Sequence, residues 1–239
     1  MALAPVAAAE VEHQTQRDFA LLDTGTTPAP KHANAFGSLG FGNYGGVGAI
    51  ELDAKYDLPL GDRAAVVASA SYLLPTGSAS GLSFNQFEGG AKYQVGSFGV
   101  SGLGNTVGLA LTYRDISVGY FGTAVPIASS LGAGVRWATT YRTGNDAVTF
   151  NLGIGFSEHV SPDYPYGLGW THSFGKARVA LEWSDAISGW STSQLGTSAW
   201  MDLGGKGGAE SRTSLGLGGV FGLGGGSTWQ INLMGQWRG

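Results

Sequence analysis

The chain has 239 residues, 42 glycines, no cysteine and a formal net charge of −4. Without cysteine there is no disulfide framework, zinc–thiolate site or thiol nucleophile, and a mild charge with no basic patch gives no footprint for nucleic acid. Charged residues make up only 13% of the chain, against about 25% in typical soluble domains, and no apolar run reaches the roughly 18 residues of a membrane helix.

Residues 1–34 differ from the rest. "MALAPVAAAE" reads either as the tail of a signal peptide with a small-residue cleavage site (Ala7, Ala9) behind an added Met, or as a plain small-residue tail. "EVEHQTQRDFALLD" allows one or two helical turns, with Val11, Phe19 and Leu22 loosely on one side, and "TGTTPAPKHAN" reads as a Thr/Pro linker.

From residue 35 to 239 the pattern is β. Alternation and turn signals place about twelve strands, near 35–44, 48–60, 63–74, 83–96, 106–117, 131–143, 146–158, 165–175, 177–186, 194–204, 211–223 and 227–238. Ten or fourteen strands remain alternatives. The second strand shows the period clearly: Ile50, Leu52, Ala54, Tyr56, Leu58 and Leu60 share one parity, and Glu51, Asp53, Lys55 and Asp57 the other. The same apolar stripes recur in "TVGLALTYR" (Val107, Leu109, Leu111, Tyr113), "LGAGVRWATTYR" (Leu131, Val135, Trp137, Tyr141), "VTFNLGIGF" (Val148, Phe150, Leu152, Ile154, Phe156), "ARVALEW" (Val179, Leu181, Trp183) and "TWQINLMGQW" (Trp229, Ile231, Leu233, Trp237). The opposite parity collects Glu51, Asp53, Lys55, Asp57, Glu88, Lys92, Arg114, Arg136, Arg142, Arg178, Glu182, Asp202, Arg212 and Arg238, set among Gly, Ala, Ser, Thr, Asn and Gln. His172 is the main polar interruption of an apolar stripe.

Three features turn the apolar face outward, toward lipid. Charge is too sparse to coat a water-facing exterior. The polar face is built of very small residues and a few ions of both signs, which suits a crowded interior where ions pair, whereas exposed strands so rich in Gly would be weak. Large aromatics mark the stripe ends: Tyr56, Tyr72, Tyr93, Tyr113, Tyr141, Trp170, Phe174, Trp183, Trp229 and Trp237. Inside a bilayer a sheet has no water to satisfy an open edge, so it must close. Turn lengths give a direction. Gly61-Asp62, Gly144-Asn145 and Gly175-Lys176 are tight, whereas "LPTGSASG", "VGYFGTAVPIASS", "HVSPDYP" and "AISGWSTSQ" read as longer loops on the other side. The segments "GSFGVSGLGN", "GGKGGAE" and "LGGGS" fit that rule poorly.

With these features residues 35–239 resemble a bacterial outer-membrane β-barrel, porin-like or autotransporter-translocator-like, on architecture and without a family-specific motif. The resemblance implies a closed antiparallel up-and-down transmembrane barrel in the outer membrane, with aromatic girdles, short periplasmic turns and a lipid partner. It also implies folding by the barrel-assembly machinery. Many such barrels end in an aromatic residue which that machinery reads; here the sequence ends "GQWRG", so Trp237 would serve from two positions inside.

The first functional reading is a passive channel for small solutes, its narrow lumen set by the inward charges. Acids on the second and fourth strands would face bases on the fifth, sixth, ninth and eleventh, giving a transverse field for dipolar or zwitterionic solutes. The same charges could instead pair and seal a barrel of this width. The second reading is a translocator or structural anchor, with residues 10–23 as a short helical plug or else a tail. The third, a lipid hydrolase, rests on the His-x-Ser pair His159/Ser161 in "EHVSPDY"; the Asn-Gly continuation of that family is missing and Pro162 follows at once. The fourth is a soluble or fibre-forming β-protein with its apolar face buried. His13, His32 and His172 are isolated and suggest no metal site. The Gly-rich "GLGLGGVFGLGGGS" lacks the Lys-Ser/Thr of a phosphate loop. The sequence therefore implies no cofactor and no catalytic residue.

Overall fold

Hydrogen bonding closes one antiparallel sheet on itself. The computed structural model describes residues 32–44, 46–77, 81–120, 123–158, 160–187, 193–204, 212–223 and 228–239, and His13–Gln14 and Thr27–Pro28, the side chains of these four and of 119–126 and 160 excepted. The barrel strands are β1 (Asn34–Tyr44), β2 (Val47–Pro59), β3 (Ala64–Pro75), β4 (Leu82–Gln94), β5 (Leu103–Tyr120) and β6 (Thr123–Thr143). They continue with β7 (Asp146–Ser157), β8 (Val160–Asp163, resuming as Pro165–Phe174), β9 (Ala177–Ala186), β10 (Gln194–Gly204), β11 (Arg212–Gly222) and β12 (Trp229–Arg238). Each pairs with its neighbour in sequence, and β12 returns to β1 from Trp229↔Asn43 to Arg238↔Asn34. The result is a closed up-and-down barrel of 12 strands. The first and last barrel strands begin and finish at one end, the termini end, where the Ala33 N–H donates to the Gly239 carbonyl at 2.8 Å.

Alternation decides which face is which. Along the strands the apolar parity points away from the axis: Leu111 is 70% exposed and Leu109 62%, while inward Glu182 is 1% exposed. This inverts a soluble core, and an exterior so apolar is stable only against lipid. On β5 the outward stripe Val107, Leu109, Leu111, Tyr113 lies between outward polar residues Asn105 and Asp115. Ten residues at about 3.3 Å each, tilted by about 45°, span roughly 23 Å along the barrel axis, close to the apolar band of a transmembrane barrel. Below the stripe, the Trp137 indole N–H donates to the Thr139 hydroxyl at 2.8 Å, and Thr139 in turn donates to Asn105 Oδ1 at 2.8 Å. Trp170 does the same on β8, donating to Asp146 Oδ1 at 3.0 Å. Amphipathic rings anchored in this way suit the edge of a lipid belt. The His172 that interrupts the β8 stripe is cross-strand partner of Asp146, its Nδ1 2.9 Å from Oδ1, with its ring between those of Trp170 and Phe174.

Two expected loops are strand. The described residues of 118–130 are strand; β5 and β6 stay paired up to Tyr120↔Thr123, beyond the last β6–β7 pair at Gly132↔Ser157. Likewise 160–163 of "HVSPDYP" pairs with β7. Prolines misled the reading. Val160–Asp163, with Pro162, bonds only to β7, and Pro126 lies where β6 bonds only to β5, so neither proline breaks a two-sided ladder. Along the rising hairpin the two parities also exchange character: Asn85, Asp115, Ser117 and Ser129 stand on the outward parity, and Phe84, Ile116 and Ala128 on the inward one. Lipid therefore ends at the level of the stacked Phe87 and Tyr113 rings, whose centroids are 6.5 Å apart. The opposite end turns tightly at Gly144 (φ 57) and Gly175 (φ 67), a left-handed backbone that favours glycine.

Candidate functional site: the barrel interior

Since side chains alternate in a strand, every second residue of all the strands points at the axis, and the site is the sum of these inward rows. Toward the termini the rows narrow the bore. Lys92 Nζ on β4 lies 3.0 Å from Asp57 Oδ2 on β2, with both side chains 8% exposed. Arg178 on β9 is buried with its guanidinium carbon 5.7 Å from the centroid of the Trp200 ring on β10. That ring lies 6.2 Å from Phe36 of β1 and uses the space left by its cross-strand partner Gly216, where a Cβ would sit 2.7 Å from the ring. Met234 is 1% exposed beside them. Asp202 accepts from Ser214 at 2.7 Å and stands 4.0 Å from Arg212. Further along β9, beside Trp183, Glu182 crosses over Gly196, whose missing side chain leaves room for the carboxylate. Arg142, on the inward parity near the end of β6, is half-buried.

Toward the hairpin the bore opens into two cavities. The first, about 340 Å³, is lined by Ser38, Glu51, Asp53, Lys55, Ser71 and Gln230 among others. The second, about 400 Å³, is lined by Thr112, Arg114, Ser130, Ser157, Ser161 and Asp163, with bare backbone at Gly132, Gly134 and Gly155. Glu88 and Arg136 line both. They form the bar between them: Arg136 Nη2 to Glu88 Oε2 is 3.0 Å and Nη1 to Oε1 is 3.4 Å. The pair reaches from β6 across β5 to β4 and is wet on one side only, the Arg136 side chain being 48% exposed and that of Glu88 10%.

The aromatics singled out from the sequence fall in two groups. Tyr72, Tyr113, Trp183 and Trp229 lie toward the hairpin end, and Tyr56, Tyr93, Tyr141, Trp170 and Trp237 toward the termini. Sequence reasoning missed Trp200, Phe36 and Met234, apolar side chains that point inward. Ser161 lines the second cavity, while His159 lies outside the described residues. Of residues 10–23, His13–Gln14 is described, extended and paired parallel with Thr27–Pro28; the rest of the expected helix lies outside the described residues. Thr27–Pro28 in turn lies against β2, β3 and β4. Among the described residues no cluster of three or more His, Cys, Asp or Glu is placed to hold a metal ion.

A closed antiparallel sheet, apolar outside and polar within, defines the class of the transmembrane β-barrels. No protein-family model and no curated protein matches the sequence. Solved structures match the fold. An outer membrane channel from Pseudomonas putida F1 aligns with a TM-score of 0.59 at 11% identity, over 94% of this chain and 100% of the channel. The β domain of the Bordetella autotransporter BrkA gives 0.56 at 14% identity, over 87% and 97%. A KdgM porin gives 0.55 at 8% identity, over 85% and 98%. The fold is thus that of bacterial outer-membrane β-barrels.

Proposed function

We propose that the chain is a narrow passive channel of the bacterial outer membrane for small polar solutes, inserted in lipid by the barrel-assembly machinery. The reading rests above all on the hairpin half of the interior, where charged side chains line space that the described residues leave open. Short turns are periplasmic in such barrels, so solutes would enter at the β5–β6 hairpin and pass the constriction around Lys92, Asp57, Trp200 and Met234. The inward Glu51, Asp53, Lys55, Glu88, Arg114 and Arg136 would set selectivity, as charged rings do in other pores.

A translocator-type barrel with its own N-terminal segment in the bore is the second reading. It is favoured by the position of Thr27–Pro28 against β2, β3 and β4. In this reading residues 1–34 narrow or plug the lumen. Single-channel recording in a planar bilayer separates the two, using the full chain and a chain lacking residues 1–31. Steady conductance from both supports the channel. Conductance only after truncation supports the plug, and insertion without conductance from either overturns both.

A further inference from the structure

The hairpin half of the interior holds charge of both signs that the described residues leave without an ionic partner. Glu51 accepts from the Tyr44 hydroxyl at 2.6 Å, Gln230 Nε2 at 2.6 Å and Ser71 Oγ at 3.2 Å. Asp53 accepts from Ser38 Oγ at 2.8 Å. All four donors are neutral: they orient the carboxylates without supplying an opposite charge. Arg114, on the other wall, donates from Nε to Gln86 Oε1 at 2.8 Å, again a neutral partner. Among the described residues none of these three groups has an ion pair.

The sheet register ties them together. Ser38, Asp53, Ser71, Gln86, Arg114 and Ser130 are successive cross-strand partners, so one row of inward side chains runs from β1 to β6. Asp53 and Arg114 lie three strand spacings apart, about 14 Å between Cα atoms. Both side chains point inward from a curved wall, which brings their heads closer than that. Between them stand a hydroxyl, Ser71, and an amide, Gln86. The Glu88–Arg136 bar lies alongside and satisfies itself, so it does not cancel either end of the row.

We propose that this row is a station for short peptides, and this rests on the channel reading. The ammonium of the N-terminus would sit at Asp53 and Glu51, and the C-terminal carboxylate at the Arg114 Nη groups, with the peptide groups facing Ser71 and Gln86. Length selects the class. A single amino acid spans about 3.5 Å and reaches only one end, whereas two or three residues span about 7–10 Å. Opposed charges in a confined bore also orient a dipole before it arrives.

The test is solute permeation into proteoliposomes carrying the full chain, alongside potassium chloride conductance of the same preparation. Four probes of nearly equal size are compared: trialanine, its N-acetyl form, its C-terminal amide, and the form capped at both ends. The expected result is entry of trialanine at least about threefold faster than the doubly capped form, with the singly charged forms between. Asp53→Asn and Arg114→Gln, each verified as folded by the gel shift on heating, should each lower that ratio, Arg114→Gln erasing the advantage of a free C-terminus and Asp53→Asn reducing that of a free N-terminus. Equal entry of all four probes through a conducting barrel overturns the peptide station and leaves the channel standing. A barrel that does not conduct overturns both.

Discussion

The two halves of the bore are built from the same alternation and end in opposite states. Toward the termini the inward residues are large or paired and almost dry, as at Lys92–Asp57 and around Trp200 and Met234. Toward the hairpin the inward residues are Ser, Thr, Gly and half-exposed charges around open space. An ion pair in the first region and one in the second are therefore different objects. Removing one partner of the dry pair strands a charge out of water, whereas in the second pair water reaches the Arg136 side chain and can stand in for a lost Glu88. The dry half is suited to hold the barrel in shape, and the wet half to meet solute.

The largest expected effect breaks this contrast directly. Lys92→Met should cost about 3–5 kcal/mol, because Asp57 stays buried and alone; urea unfolding from lipid vesicles, followed by tryptophan fluorescence, measures it. On the outer surface Leu111→Arg should cost about 2–4 kcal/mol in the same assay, as a cation within the lipid belt does. Ser129→Arg, two positions beyond Leu131 on the outward parity, should stay within about 0.5 kcal/mol if the belt ends at Phe87 and Tyr113. Gly216→Ala should cost about 1–3 kcal/mol, since its methyl group meets the Trp200 ring; Trp200→Ala in the same background should absorb that penalty. Glu88→Gln should change stability by no more than about 1 kcal/mol. It should instead shift the reversal potential of the channel toward anions, because one negative charge is removed from the lumen. A stability loss for Glu88→Gln as large as that for Lys92→Met would erase the distinction between the halves.

Much of this was legible in the sequence because lipid makes a strand's two faces so different. In β2 the alternation of Ile50, Leu52, Tyr56 and Leu58 with Glu51, Asp53, Lys55 and Asp57 marks both strand and facing. What could not be read was anything that depends on the strand next door. Trp200 is one aromatic among many in the sequence; its inward place exists because Gly216 is opposite it. Glu182 and Gly196 are a second such pair. The hairpin beyond the belt was invisible for another reason: once the outside is water, apolar alternation no longer signals a strand. His172 reads as an interruption in one stripe and becomes intelligible only beside Asp146 of the neighbouring strand.

The seam between β12 and β1 carries a consequence for how the molecule comes into being. Every other junction joins strands that are adjacent in sequence, but this one joins Trp229–Arg238 to Asn34–Tyr44. Bringing such distant segments together costs about 3–4 kcal/mol more entropy than closing a three-residue turn. Assembly by successive hairpins therefore leaves the seam for last, and until it forms both edges carry unpaired backbone groups that lipid cannot satisfy. Closure and insertion are then a single event, and the slowest contact to form is the one on which residence in the bilayer depends.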